Sequence, residues 1–311
     1  MEWFSRGLTL VGSALLACTG CAPIAILGIN VDRDAYTRHV DIPYGDDPRQ
    51  KFDLYVPVTA ADVPRPVVVW VYGGSWRDGK KGDYAFVASW LASRGYPVAI
   101  PDYRLVPQVR FPSFLEDIAA AVAALPASGD LLGARGDASR VVMMGHSAGA
   151  YNAAMIALDP TWLRGAAARV RVAAFIGLAG PYDFFPFDGA ATINAFGHTS
   201  DPAETQPVRR VAPDAPPALL LHGVTDTTVD PENSQSLARV LRAQGDHATV
   251  ILLEGTGHID ILKGLSPLFR DQKIITPVEH FLERVTGGDL HGGWRPHAAV
   301  RHARRVLSRR F

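Results

Sequence analysis

Arg140-Val141-Val142-Met143-Met144-Gly145-His146-Ser147-Ala148-Gly149-Ala150-Tyr151-Asn152-Ala153-Ala154-Met155-Ile156-Ala157-Leu158 passes from an apolar run, through Gly-x-Ser-x-Gly, into a helix-forming run. A buried strand that enters a helix through this five-residue turn has the form of a nucleophile elbow. The turn is tight enough to need glycine on both sides of the serine, and it leaves the hydroxyl exposed above the helix N-terminus. Ser147 is therefore the nucleophile candidate. The pattern alone recurs by chance, and the strand before and helix after are what give it weight.

A serine near neutral pH needs a histidine base, and that base needs a carboxylate to fix its tautomer. In strand–elbow–helix chains the three follow in the order Ser, acid, His. His258 is the base candidate: a strand over 248–253 ends just before it, and glycines flank the loop that presents it. His146 adjoins the serine, but the elbow turns neighbouring side chains apart, so a structural role is expected for it. Two carboxylates follow the apolar run Ala218-Leu219-Leu220-Leu221-His222-Gly223. Asp230 precedes Pro231, Glu232 and a helical pattern, which is the signature of a helix cap. Asp226 stands just past the strand end, where such sheets hold functional groups, and is preferred as the acid. A third strand, Pro66-Val67-Val68-Val69-Trp70-Val71, runs into Tyr72-Gly73-Gly74-Ser75-Trp76. Backbone N–H groups of Gly74 and Ser75, with that of Ala148, are the expected oxyanion-hole donors.

Five blocks then carry a family resemblance: Tyr72 to Trp76; Asp102-Tyr103-Arg104-Leu105 with Phe111-Pro112 and Glu116-Asp117; Gly145 to Gly149; His222-Gly223-Val224-Thr225-Asp226; and Gly257-His258. In this order they resemble the α/β-hydrolase esterases of the hormone-sensitive-lipase-like and acetyl/feruloyl-esterase-like (BD-FAE-like) type, which are related to kynurenine formamidases. The resemblance implies Ser147, Asp226 and His258 as a triad, a small-molecule ester substrate, and no cofactor. Tyr72 stands where such chains usually carry histidine, and Ser75 where many carry glycine. Asp102 and Arg104 resemble scaffold residues that tie loops together. Hydrolysis of a short-chain, aryl or acylated-sugar ester through an acyl-enzyme is the implied activity. The alternatives are aryl-formamide hydrolysis and a non-catalytic envelope binding module.

The 311 residues are 48% hydrophobic and 20% charged, with 31 basic and 31 acidic side chains. One large core is affordable, and no net field points to nucleic acid. Strands near 39–42, 52–56, 67–72, 97–101, 140–145, 172–179, 218–222 and 248–253 interleave with helices near 83–93, 113–125, 147–158, 232–243 and 271–285. That alternation predicts an α/β fold, a mostly parallel sheet with helices on both faces and no large lid domain. Residues 180–217 interrupt it with aromatics among prolines and glycines. Trp76, Tyr182 and Phe184 are the expected pocket residues, with core filling as the alternative for any one of them.

The ends read differently, so residues 30–286 are taken as the catalytic domain. No charged side chain occurs from Gly7 to Ile29, and Leu15-Leu16-Ala17-Cys18 resembles a bacterial lipoprotein processing site. Residues 1–29 are read as an export signal or membrane anchor, with Cys18 as the lipid-anchor candidate and export to the cell envelope as the expectation. Processing before Cys21, an uncleaved anchor or a plain cleaved signal are the alternatives. The only cysteines are Cys18 and Cys21, so no disulfide or thiol chemistry is expected in the domain. Residues 287–311 form a basic tail, read as a frayed terminus rather than a helix lying on lipid. His291, His297 and His302 lack metal-ligand spacing, and no metal is assigned.

Overall fold

The computed structural model describes residues 24–287. Cys18, Cys21, the rest of 1–23 and the basic tail from 288 lie outside the described residues. Strands β1 (Tyr36–Pro43), β2 (Lys51–Pro57), β3 (Arg65–Val71), β4 (Val98–Pro101), β5 (Gly136–His146), β6 (Arg171–Leu178), β7 (Ala218–Gly223) and β8 (Ala248–Leu253) form one sheet in the order β1-β2-β4-β3-β5-β6-β7-β8. The β1–β2 and β2–β4 pairs are antiparallel, and every pair from β4 through β8 is parallel. Val67–Val71, Val141–His146, Ala173–Leu178 and Ala218–Gly223 are buried without interruption. Both faces of the central strands are therefore covered, which is why they read as continuous rather than alternating apolar runs. The edge strands β1 and β8 keep partly exposed side chains.

The cover is helical: α1 (Ala85–Ala92), α2 (Ser113–Ala124), the single turn α3 (Gly129–Leu132), α4 (Ala148–Leu158), α5 (Ala190–Phe196), α6 (Glu232–Ala243), α7 (His258–Lys263) and α8 (Gln272–Thr286). On one face α1 and α8 are joined by the Trp90 indole N–H, which donates to Glu279 at 2.9 Å. On the other, α4 packs on β5 and β6 and against α2. The helix α4 is almost wholly apolar and buried on every side, so its stability is tertiary and not a matter of amphipathic pattern.

Three features differ from the sequence expectation. A helix, α5, forms inside the aromatic 180–217 stretch, where flanking glycines and prolines hide seven helical residues. His258 is the first residue of α7 and not part of a loop. Residues 24–28, grouped above with the export segment, form a 3-10 turn that seats Leu27 in the core.

The elbow is held by close approach of backbones. A Cβ on Gly149 would fall on the Val71 carbonyl oxygen and the Tyr72 carbonyl group, and one on Gly145 would fall on the Gly149 carbonyl. None of these neighbours is a side chain that can step aside. Gly149→Ala should therefore destabilise by roughly 1–3 kcal/mol or more, as overpacking does. Gly82→Ala, whose Cβ meets nothing within 4 Å, should stay near wild type. Urea unfolding of the two variants checks the contrast, and equal midpoints would show that β3 and α4 can separate freely.

Candidate active site

Ser147 lies at the end of β5 with φ 57° and ψ −129°, a conformation that an L-residue adopts only when its surroundings impose it. The imposition is visible. Its N–H donates to the Leu178 carbonyl at the end of β6 (2.9 Å), and its own carbonyl accepts from Ala150 (2.9 Å) and Tyr151 (3.1 Å) in the first turn of α4. The side chain is left partly exposed.

The three residues singled out in the sequence come together at the C-terminal ends of β5, β7 and β8. His258 Nε2 is 2.9 Å from Ser147 Oγ, and His258 Nδ1 is 2.7 Å from Asp226 Oδ2. A carboxylate only accepts, so Nδ1 carries the proton and Nε2 is free to accept from the serine hydroxyl. His258 is presented by the N-terminus of α7, where the Asp260 carboxylate accepts from the Gly257 amide at 2.9 Å. Asp230, the competing acid, accepts from the Glu232 amide (2.9 Å) at the start of α6.

Asp226 has more partners than the sequence reading foresaw. Its Oδ1 accepts from the amides of Thr228 (2.8 Å) and Val229 (2.9 Å). His222 Nε2 approaches Oδ2 at 3.2 Å while lying 2.9 Å from the Val229 carbonyl, and its Nδ1 is 2.7 Å from Ser234 Oγ. Acceptors on the Nε2 side place the proton there, so the Ser234 hydroxyl donates to Nδ1. Burial by itself would raise the Asp226 pKa. The bonds from His222, His258 and the Val229 amide outweigh it and hold the carboxyl well below the usual range. In the sequence His222 was legible as the end of a strand and the first residue of the His222-to-Asp226 block, which carried the resemblance without showing that the histidine itself bonds the carboxylate.

The loop after β3 forms the facing wall. Gly73 lies so close to the elbow that a Cβ would stand 2.8 Å from the His146 carbonyl oxygen and 2.9 Å from Ser147 Cβ. Gly74 (φ 126°), Ser75 (φ 54°) and Trp76 (φ 56°) follow in the left-handed region. The Gly74 carbonyl accepts from Arg77 and Asp78, both at 2.9 Å, closing the turn. Tyr72 braces this loop from beneath. Its ring stacks between Tyr84 and Tyr103, and its hydroxyl donates to Asp102 Oδ1 at 2.7 Å while accepting from Arg49 at 2.8 Å. Burial pushes the phenol pKa up, which keeps it a donor. Asp102 Oδ1 also accepts from the Lys81 amide (2.7 Å), and Arg104 is bidentate to Asp117; both are scaffold ties.

Ser147 opens into a cavity of about 540 Å³, within the size range of small-molecule sites. Ser75, Ala148, Trp76 and Phe184 line it; Gly74 does not. Tyr182 does not line it either, and its assignment to the pocket is corrected. The ring is fully buried, edge-on to Phe175, in space that Gly177 and Gly180 leave open. Phe185, one of the aromatics of the 180–217 stretch, also lines the cavity, together with Thr192 and Thr228, which the sequence reading did not single out. Among the described residues no group of three or more His, Cys, Asp or Glu side chains is arranged to hold a metal ion.

His146 has a structural place: its Nε2 donates to the His258 carbonyl at 2.9 Å, and the two rings lie 4.8 Å apart. Burial, and then the neighbouring His258, lower its pKa from 6.5 to about 3. Between those values the unfolded chain binds a proton that the folded one refuses, so stability falls as pH drops through the window. At lower pH the depressed Asp226 adds a loss of the same sign. His146→Gln should flatten the dependence between about pH 6 and 4 by up to about 1.4 kcal/mol per pH unit. Urea titrations at several pH values measure it; an unchanged slope would place the acid sensitivity elsewhere.

Comparison with known proteins agrees with this architecture. The BD-FAE family profile matches residues 52–241. Isoprenylcysteine alpha-carbonyl methylesterase ICME of Arabidopsis thaliana is 29% identical over 288 residues, 84% of this chain and 64% of that protein. Esterase LipC of Mycobacterium tuberculosis is 30% identical over 250 residues, 74% of this chain and 62% of that protein. The chain thus spans less than two thirds of the length of these relatives. Among solved structures, a truncated carbohydrate esterase from gut microbiota superposes with a TM-score of 0.69 at 20% identity, covering 82% of this chain and 98% of that one. The family match takes in more than half of the 311 residues, and the chain belongs to the BD-FAE family, on the α/β-hydrolase fold.

Proposed function

We propose that this protein is a serine hydrolase of carboxylic esters. The observation that carries the reading is the unbroken hydrogen-bonded chain from Ser147 Oγ through His258 to Asp226, opening into a cavity. Ser147 Oγ attacks the ester carbonyl while His258 Nε2 takes its proton, and Asp226 stabilises the imidazolium that forms. Charge developing on the carbonyl oxygen is received by backbone amides of the loop at Gly74 and Ser75 and by that of Ala148 at the start of α4. His258 returns the proton to the departing alcohol, and water attacks the acyl-enzyme through the same base. The esterase names of the family relatives support the same reaction class.

The substrate reading is narrower. Trp76 and Phe184 give the cavity flat apolar surfaces suited to a planar acyl or alcohol group. Between β6 and β7 the chain inserts only the 179–217 segment, which closes a compact space over the serine. Each methylene that fits contributes about 0.8 kcal/mol, so the specificity constant should rise and then fall once the acyl chain exceeds about four carbons. Short acyl esters, with aryl or sugar alcohols, are the proposed class.

Ser147→Ala should lose several orders of magnitude of kcat on p-nitrophenyl acetate with an unchanged circular dichroism spectrum, and should no longer take a fluorophosphonate label. Near-native turnover in that variant would end the mechanism.

Asp226→Asn should cost roughly 10⁴ in kcat, as a triad carboxylate does. Asp230→Ala should mainly lower the melting temperature, as loss of a helix cap of about 1 kcal/mol does. The reverse pattern would reassign the acid.

A p-nitrophenyl series from acetate to palmitate, run beside N-formylkynurenine, tests the pocket. A maximum at palmitate would refute the compact site. A formamide constant far above every ester would make this a formamidase.

A further inference from the structure

We propose that Asn152 is a positioning residue for the oxyanion loop, acting through the indole of Trp76. The inference rests on the esterase reading above and adds a residue to that site. Asn152 is fully buried on α4, five residues after the nucleophile, among Ala148, Ala150, Ala153, Ala154 and Met155. Its Oδ1 accepts from Trp76 Nε1 at 3.1 Å, and its Nδ2 has no partner among the described residues. A buried amide with an unpaired donor is a net burden on stability. Leucine, of similar size, would fill that place on an apolar helix without the penalty. The polar residue therefore departs from the local rule at one point only, its bond to Trp76, and such departures cluster where geometry matters for function.

Trp76 is the residue most in need of an anchor. It and Ser75 are consecutive non-glycine residues with positive φ, a strained arrangement that relaxes unless its surroundings hold it. The Trp76 carbonyl accepts from Val106 at 2.9 Å, which fixes its backbone from one side. The ring meets Phe196 and Tyr151 edge to face, with centroids 4.8 and 5.4 Å away. Such contacts confine the plane of an indole but are tolerant of sliding within it. The N–H bond to Asn152 is directional and removes that freedom.

The consequence lies in what the bond joins. Ser75, immediately before Trp76, and Ala148, one helical turn before Asn152, both line the cavity beside Ser147. The oxyanion amides of Gly74 and Ser75 thus belong to the loop and that of Ala148 to the helix, and the Trp76–Asn152 bond ties loop to helix. Losing it leaves the amides in place but loosens the separation of loop from helix, the quantity on which oxyanion stabilisation depends.

The test is a double-mutant cycle of Asn152→Leu and Trp76→Phe, the second keeping an aromatic ring without the donor. Asn152→Leu should lower kcat on p-nitrophenyl acetate about 10- to 100-fold, less than or comparable to loss of a whole oxyanion donor, with KM changed by less than about threefold. The inhibition constant of phenylboronic acid, which mimics the tetrahedral state, should rise with the fall in kcat/KM. In the Trp76→Phe background the same substitution should change kcat by no more than about twofold. Asn152→Ala takes its place in the cycle if the leucine variant does not fold. A kcat unchanged in either Asn152 variant, with only the melting temperature lowered, would make the residue purely structural. Additive effects in the cycle would show that it does not act through Trp76. Either result overturns the inference while leaving the esterase reading intact, whereas wild-type protein with neither turnover nor fluorophosphonate labelling overturns both.

Discussion

The contact between the end of β3 and the start of α4 is backbone against backbone, and the site depends on it. Gly149 lies on Val71 and Tyr72, and Gly73 lies on His146 and Ser147, so Ser147 and the facing loop are held at a separation that leaves no room for a Cβ on either glycine. Interiors are packed densely enough that such a contact has two states, formed or broken, with little between. The strained φ of Ser147 persists because both flanks are fixed: β6 receives its amide, and α4 donates back to its carbonyl. Local strain of this kind is retained where surrounding structure over-determines it.

Three histidines lie at this site, two of them against Asp226, and their proton positions follow from their partners. His258 gives Nδ1–H to Asp226 and keeps Nε2 for the serine. His222 gives Nε2–H to the Val229 carbonyl and the acid while Ser234 fills Nδ1. His146 gives Nε2–H to the backbone of His258 and is held neutral by burial. Of the three, only His258 has a ring nitrogen within hydrogen-bond distance of Ser147 Oγ. Asp226 is thus left ionised with both oxygens engaged, which in the proposed reaction orients His258 without competing for its proton.

Much of this was legible in the chain because the signals are local. The elbow is a fixed spacing in a strand–helix context, and the buried parallel strands read as unbroken apolar runs. Asp230 declared its capping role through Pro231, which separated it from Asp226. What stayed hidden required knowing which face a residue presents. Tyr182 and Phe184 stand two apart on one aromatic stretch, yet Tyr182 turns into space left by Gly177 and Gly180 while Phe184 meets Trp76. The small residues were in the sequence, but only the sheet brings them beneath the ring. The helix that presents His258 carried a short cap signature, Gly257 followed three residues later by Asp260, which six helical residues make easy to read as loop.

The wall of the cavity is rigid at one end and open at the other. Asn233, near the start of α6, accepts from the amides of Tyr182 and Asp183, both at 2.8 Å, and donates to the Asp230 carbonyl at 3.1 Å. Gln206 accepts from the Phe184 amide at 2.7 Å. The Asn233 amide thus binds the strap before Phe184 to α6, the helix that follows the Asp226 loop, while Gln206 fixes Phe184 within the 179–217 segment itself. Beyond Phe184 the wall changes character: Phe185 is 57% exposed, and Pro186, Asp188 and Gly189 are exposed with it. In the proposed reaction, differences in the size of the bound group are expected at that outer segment, which carries none of the hydrogen bonds that join Ser147, His258 and Asp226.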